Sequence, residues 1–287
     1  MRLFLLSLFF VFLSSASFAQ QRISGRITDT EGNAVEYVNV GIADTSLGVI
    51  SDARGNFLLR LPDSLAGRNI LFSHLSYGVE EVPAEELILR TASGEEVVVC
   101  LPESGHTIPE IVVRPGRIRH RRIGSGGIRV PLPTYWVISG SPDGSVDKTV
   151  KRLPELGSVL NIKDPLLIEE LFFSVNSCTD SLLVRFNFYS IADDSVFTPI
   201  HHVPFYTMIR PSKNQEDYSI DISDGLVIAP VGKILVTMQQ VESYGEATSI
   251  GMPAYWGEAY ARDAFHADFA KTALHLGLQV YGRILAD

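Results

Sequence analysis

Cysteine is scarce: Cys100 and Cys178 are the only two in 287 residues, too few for a disulfide scaffold or a four-ligand zinc module. No Cys-x-x-Cys, Gly-x-Ser-x-Gly or Gly-x-x-x-x-Gly-Lys stretch occurs, so redox, nucleophile-elbow and phosphate-loop chemistry have no local signature. Basic charge is also short, with 24 Lys and Arg against 33 Asp and Glu, a formal charge of -9 and a pI near 5.3. That balance excludes a protein whose whole surface tracks phosphate. Beyond Leu13 no apolar run approaches the roughly 20 residues of a membrane span. What remains is 46% hydrophobic and 20% charged, which excludes disorder, collagen and coiled coil. The length suggests about two domains.

Residues 1–19 read as a signal peptide. Arg2 is a short positive start, Leu3 to Leu13 is apolar apart from Ser7, and Ser17 and Ala19 put small residues at the cleavage position. No cysteine follows, so a lipoprotein is not expected. The mature chain is expected to begin near Gln20, to carry no transmembrane segment, and to reside in the periplasm or at the outer membrane or cell surface.

Removing Arg2 with the signal leaves about -10, distributed unevenly. Residues 20–110 hold fourteen acids against six arginines, residues 111–142 hold no acid and six arginines, and residues 143–287 hold nineteen acids against eleven Lys and Arg, giving -8, +6 and -8. The pattern predicts an acidic domain over 20–113, a basic Gly- and Pro-rich linker over 114–133, and a second acidic domain over 134–287. Arg117, Arg119, Arg121 and Arg122 are candidates for contact with an anionic envelope surface. The competing reading is a solvated hinge resting on its own acidic neighbours. The two cysteines fall one in each domain, either as a clamp across the linker or as two small buried hydrophobes.

The segments RISGRIT, YVNVGIA, NFLLRLP, NILFSHL, EEVVVCL and EIVVR alternate or bunch β-branched and apolar residues, and Asp29-Thr-Glu-Gly32-Asn33, Asp52-Ala-Arg-Gly55-Asn56 and Asp63-Ser64 punctuate them. The Asp-rich stretches lack the acid spacing of calcium loops and are expected to be turns. The ordered series Ile23-Ser24-Gly25-Arg26-Ile27, Asp29, Gly32-Asn33-Ala34-Val35, Val38-Asn39-Val40, Gly48 through Ser51-Asp52 to Gly55-Asn56-Phe57, and Leu75-Ser76-Tyr77-Gly78 resembles the carboxypeptidase regulatory-like domain over about residues 22–113. The resemblance implies a seven-stranded, transthyretin-like β-sandwich, of the kind that stands ahead of the plug in TonB-dependent outer-membrane receptors. The acidic stretch Val82 to Glu96 departs from the pattern and is expected to be a loop. No histidine has Glu three residues on, so the peptidase zinc motif is missing.

Five strands are expected in the second domain, over 167–175, 181–189, 218–222, 233–238 and 276–281, with Asp224-Gly225 as a hairpin-type turn. Their order is similar to galactose-binding-like jelly rolls. The fold class predicted is therefore all-β, two β-sandwich domains after a signal peptide, the second jelly-roll-like.

Adjacent His201 and His202 would point to opposite faces of a strand and do not suit one metal. Asp263, His266, Asp268 and His275 lie in a stretch whose Phe265, Phe269, Ala273 and Leu276 spacing predicts a short amphipathic helix. No metal and no cofactor is expected. The stretch from Gly251 to Asp263 is read as a loop between strands. In it Tyr255, Trp256, Glu258, Tyr260, Arg262 and Asp263 form the candidate ligand site, because aromatic faces beside fixed polar groups suit a sugar ring; the same aromatics also suit a small satellite core. The reading is an exported, non-catalytic binding or scaffold protein of the envelope, its partner a glycan or an envelope protein and not nucleic acid. The alternative is a glycan hydrolase using carboxylates such as Glu242, Glu246 and Glu258.

Overall fold

The computed structural model describes residues 20–43, 45, 47–104, 119–124, 127–131, 134–137, 155–193, 196–245, 248–262 and 268–285. The expected signal peptide, the strand EIVVR, Arg117, Glu246, Asp263 and His266 lie outside them. The structure is all-β, in sandwiches, as the alternation predicts.

The first sandwich contains β1 (Gln20–Thr28), β2 (Asn39–Ile42), β3 (Gly48–Ile50), β4 (Asn56–Pro62), β5 (Asn69–Ser73), β6 (Glu80–Pro83), α1 (Ala84–Ala92) and β7 (Val98–Cys100). They form one sheet in the order β4-β1-β7 and another in the order β3-β2-β5-β6. β7 runs parallel to β1 and the other pairs are antiparallel. Alternate residues of β4, Phe57, Leu59 and Leu61, meet Ile23, Ile27, Val40, Ile42, Ile70 and Phe72 in a closed core. The stretch expected to be an acidic loop is instead α1. Glu85 and Glu86 lie in its first turn and Arg90 in its last, complementing the helix dipole, while Ala84 and Leu87 are buried.

Both Asp-x-x-Gly-Asn stretches fold into the same turn. Asp29 Oδ1 accepts from the Glu31 and Asn33 amides at 2.9 and 2.8 Å, and Asp52 Oδ1 accepts from the Arg54 and Asn56 amides at 2.8 Å each. Gly32 and Gly55 have φ of +86° and +76°, which a side chain would strain. At Gly55 an added Cβ would also lie 2.5 Å from the Ile27 carbonyl. The hydrogen bonds hold both carboxyls below their usual range, Asp29 through Asn33 and Asp52 through Asn56 against the opposing effect of its burial. These carboxylates serve the turns, as the sequence predicts.

The second sandwich contains β8 (His120–Gly124), β9 (Ile128–Arg129), β10 (Thr134–Val137), β11 (Glu155–Ile162), β12 (Leu166–Val175), β13 (Ser177–Cys178), β14 (Leu182–Ala192), β15 (Val196–Pro199) and β16 (Phe205–Ile209). It continues through β17 (Glu216–Asp221), β18 (Val227–Ala229), β19 (Gly232–Ser243), β20 (Ser249–Met252), β21 (Ala254–Arg262), β22 (Ala270–Leu276) and β23 (Gln279–Ile284). One sheet runs β15-β14-β19-β11-β21-β22, with β16 also on β14 and β9 also on β21; another runs β17-β12-β23-β8, with β18 also on β12; β10-β20-β13 form a third. Leu171, Phe173 and Val175 of β12 face Val184, Phe186 and Phe188 of β14 and Val236 of β19 across the core.

Four expectations are corrected here. Part of the segment read as a linker is built into the sandwich, since β8 pairs along β23 and β9 along β21; the composition is hinge-like but long-range pairing orders it. Asp224-Gly225 makes no hairpin. It joins β17 and β18, which follow one another along the same side of β12, and the Phe205 ring occupies the space a Gly225 side chain would need. The stretch 276–281 is split between β22 and β23. Over its described part the expected helix is replaced by β22, because Thr272, Leu274 and Leu276 also satisfy period two and pair with β21. The two cysteines are free, Cys100 exposed and Cys178 buried.

The sandwiches meet at Arg185, which is 1% exposed. Its Nη2 donates to Asn39 Oδ1 at 2.9 Å and to Gln239 Oε1 at 2.7 Å, and its Nη1 donates to the Tyr37 carbonyl at 3.2 Å. These acceptors are neutral, so the guanidinium is solvated by dipoles and not paired with an acid. Tyr37 holds φ at +51°, a left-handed conformation that costs a non-glycine residue about 1–2 kcal/mol. Around this contact the Tyr37 and Tyr206 rings lie 5.2 Å apart and Ser76 Oγ donates to the His202 carbonyl at 2.9 Å. His74, whose Nδ1 accepts from the Ser76 amide at 3.2 Å, is pushed down to about 4 by burial and by Arg185. Burial pushes His201 down to about 3.

Replacing Arg185 by Leu strands the Asn39 and Gln239 acceptors, each stranded group costing about 1–3 kcal/mol. Calorimetry should show one cooperative transition for the parent and two for Arg185→Leu; an unchanged single transition would contradict the lock. The histidines give a pH signature. Between its ordinary 6.5 and its folded value near 4, His74 takes a proton in the unfolded chain but not in the folded one, so stability is full above about 6.5 and declines on acidification. His201 adds a decline in the same direction, down to about 3. Denaturant midpoints measured from pH 7 to pH 5 should fall, and His74→Gln should flatten the slope.

Candidate binding surface

The aromatic stretch that the sequence reads as a loop is a strand, β21. Its alternation of Ala with Tyr and Trp suits a pleated ribbon, and it pairs with β22 on one side and with β11 and β9 on the other. A bulge interrupts it: Trp256 faces Leu274 and Ala259 faces Thr272, so three steps on β21 match two on β22. The bulge re-aims the side chains on either side of Gly257 and Glu258.

Directly opposed residues of antiparallel strands share a face. Ile128 of β9, Trp256 of β21 and Leu274 of β22 are opposed in one row, and they are 78%, 53% and 37% exposed. An apolar row of this kind, open to water across three strands, is the feature of this face that a ligand would cover. Its backbone is held from behind: Gly127 lies so close to the Trp256 carbonyl that an added Cβ would approach it to 2.2 Å. Tyr255, on the opposite face, stacks on His275 with ring centroids 5.6 Å apart and an 11° interplanar angle.

Glu258, in the bulge, stands between two lysines, with Lys233 Nζ at 2.9 Å from one oxygen and Lys271 Nζ at 2.8 Å from the other. Hydrogen bonds from Lys271 and Lys233 hold its carboxyl below the usual range. It is an anion fixed at the surface.

Tyr260 and Arg262 are structural. Tyr260 is buried with Val159, Tyr189 and Leu235, and the Phe197 ring lies 4.9 Å away. Arg262 is clamped to the fully buried Glu155, Nε to Oε2 at 2.6 Å, and its guanidinium lies 4.3 Å from the Phe269 ring centroid. Burial would raise the Glu155 carboxyl, but Arg262 and the donors of Thr237 and Asn187 outweigh it and hold the carboxyl low. The Tyr189 hydroxyl, at 3.0 Å from Glu155, is driven well above its ordinary range by burial and by that carboxylate. So of the six candidates the structure brings Trp256 and Glu258 to the surface, leaves Tyr255 half-buried, and commits Tyr260 and Arg262 to packing; Asp263 lies outside the described residues.

Ile128 and Leu274 complete the row, Lys233 and Lys271 hold Glu258 on the opposite face of the sheet, and all four were missed. Strand register is the signal that joins them, and it is carried by pairing between segments distant in sequence. The arginine candidates fall on or beside β8. Arg119 accepts the Ile284 amide with its carbonyl at 2.8 Å, Arg121 pairs with Asp164 at 3.0 Å, and the Arg122 guanidinium lies 3.8 Å over the Phe172 ring. All three are exposed. Among the described residues no group of three or more His, Cys, Asp or Glu is placed to hold a metal, and no helix is long and apolar enough to cross a membrane.

No family model matches the chain. It is 30% identical over 134 residues to the TonB-dependent receptor SusC of Bacteroides thetaiotaomicron; the match takes in 46% of this chain but 11% of the receptor's length. Two solved structures of infectious bursal disease virus, one of the Gx strain and one of a VP2 subviral particle, align over 94% of this chain and 66% of theirs, at 11% and 10% identity and TM-scores of 0.25 and 0.24. Scores that low carry no inference about fold.

Removing the charge of Glu155 tests the division between structural and surface residues. Glu155→Gln leaves Arg262 buried without a counter-charge and should destabilise by about 3–5 kcal/mol. The double variant Glu155→Leu/Arg262→Met should lose less than the single one in denaturant titration. A single variant as stable as the parent would remove Glu155 from this role.

Proposed function

We propose that the chain is an exported, non-catalytic binding module of the Gram-negative envelope and that it takes a glycan on the Ile128–Trp256–Leu274 row. The supporting observation is the row itself: an exposed indole flanked by aliphatic side chains on one face of the sheet, while Glu258 and Lys271 stand on the other face. A sugar ring offers an apolar C–H face to such a row. The similarity to part of a TonB-dependent receptor supports an outer-membrane setting, and so does the first sandwich, whose seven strands suit the carboxypeptidase regulatory-like resemblance. In this reading that sandwich is a fixed platform for the second, which is the jelly-roll-like ligand carrier.

The carboxylates favour binding over hydrolysis. A glycosidic general acid needs a carboxyl raised towards neutrality, whereas Glu258 is held low by two lysines and Glu155 by Arg262. Glu242 is occupied by the Tyr244 hydroxyl at 2.9 Å.

A glycan array probed with the protein, followed by titration calorimetry on the retained sugars, tests the proposal. Trp256→Ala should weaken binding by about 2 kcal/mol or more, roughly thirtyfold, with the melting curve unchanged. If the parent protein retains no glycan, or the variant binds as well as the parent, the reading fails.

A further inference from the structure

Among the described residues, the sheet β17-β12-β23-β8 ends in two strands of opposite charge. β17 reads Glu216-Asp-Tyr-Ser-Ile-Asp221 and β8 reads His120-Arg-Arg-Ile-Gly124. In one register row across the sheet stand Asp221, Glu170, Tyr281 and Arg122, acid at one margin and guanidinium at the other. Glu216, Asp217 and Asp221 are exposed, and so are His120, Arg121 and Arg122. Asp221 is kept ionised by the hydroxyl and amide of Ser223, and Asp217 accepts from Ser174 Oγ at 2.6 Å.

Edge strands present unpaired backbone groups, and charge on them ordinarily keeps copies apart. Like charge on both margins would do so. Opposite charge does the reverse for one arrangement, in which the basic margin of one molecule meets the acidic margin of another.

We propose that β8 of one copy adds to β17 of a second copy, continuing the five-stranded sheet from molecule to molecule. The five residues of β8 match the six of β17 in length, the backbone groups of the margins complete each other's ladders, and Arg122 comes to lie on the face that carries Asp217 and Asp221 of the neighbour, with Arg121 adding positive charge to the same margin from the other face. The contact is heterologous, so both margins of each copy are used and the assembly is an open row, not a closed dimer.

Sedimentation velocity of the protein over a range of concentrations tests this. At low ionic strength the parent should form a concentration-dependent series of oligomers, and these should dissociate as salt shortens the screening length from about 10 Å at 0.1 M to about 3 Å at 1 M. Arg121→Gln/Arg122→Gln and Asp217→Asn/Asp221→Asn, both confined to exposed positions, should each lose self-association by tenfold or more. Mixed together they should give a one-to-one dimer and nothing larger, because a single complementary pair of margins is left. A parent that stays monomeric in low salt, variants that associate like the parent, or a mixture that stays monomeric would each overturn the proposal. An Asp- and Glu-rich synthetic strand that binds the parent while the parent alone stays monomeric would assign the β8 margin to a different protein and also overturn it.

Discussion

A guanidinium that is fully buried and meets only neutral oxygens is the constraint on which this architecture rests. Arg185 cannot be desolvated without its dipoles, and those come from both sandwiches: the Asn39 side chain and the Tyr37 carbonyl from one, Gln239 from the other. Each half thus completes the hydrogen bonding of the other. The left-handed backbone at Tyr37 belongs to the same arrangement, since that residue supplies one of the three acceptors. A weakly polar seam of comparable area would permit sliding, whereas a planar donor fork with fixed acceptors specifies one orientation.

Beyond Arg185 the same sheet face carries a graded set of solutions to the burial of polarity. Arg185, Gln239, Glu155 and Arg262 stand in one row across four strands, opposite one another in register. Dipoles solvate the first charge, and the other two neutralise each other. One row further along, Asn187 and Thr237 turn their donors towards Glu155, and after them the face becomes aromatic and aliphatic with Tyr189, Leu235 and Val159. The sequence shows these residues as isolated polar interruptions in apolar strands; the sheet turns them into a network.

What was legible in the sequence is what is local. Alternation along β1, β4, β12, β14 and β19 announces strands because period two is written into each segment, and the two Asp-x-x-Gly-Asn turns are legible because their hydrogen bonds span four residues. What was not legible depends on partners far away. β8 has the composition of a hinge and becomes a strand only beside β23, and the Trp256 stretch has loop-like glycines at 251 and 257 yet is fixed between neighbours contributed by three other segments. One of the hydrogen bonds that join the halves, from Arg185 to Asn39, runs between residues 146 positions apart. Of the candidate site, aromatic chemistry identified Trp256, but not which aromatics would be used up in packing: Tyr260 and Arg262 have the residue types of a ligand site and the surroundings of a core.

The parallel pairing of β7 with β1 gives the molecule a direction. Thr28 lies beside Cys100 at one end of that pair, near the Asp52 carbonyl that receives the Tyr37 amide, so this end adjoins the Arg185 seam. Gln20 lies at the other end of a nine-residue strand, about 26 Å away at roughly 3.3 Å per residue. The beginning of β1 therefore points away from the second sandwich, and cargo, surface or fusion partner joined there would hold the protein by its far pole, with the Arg185 seam left undisturbed.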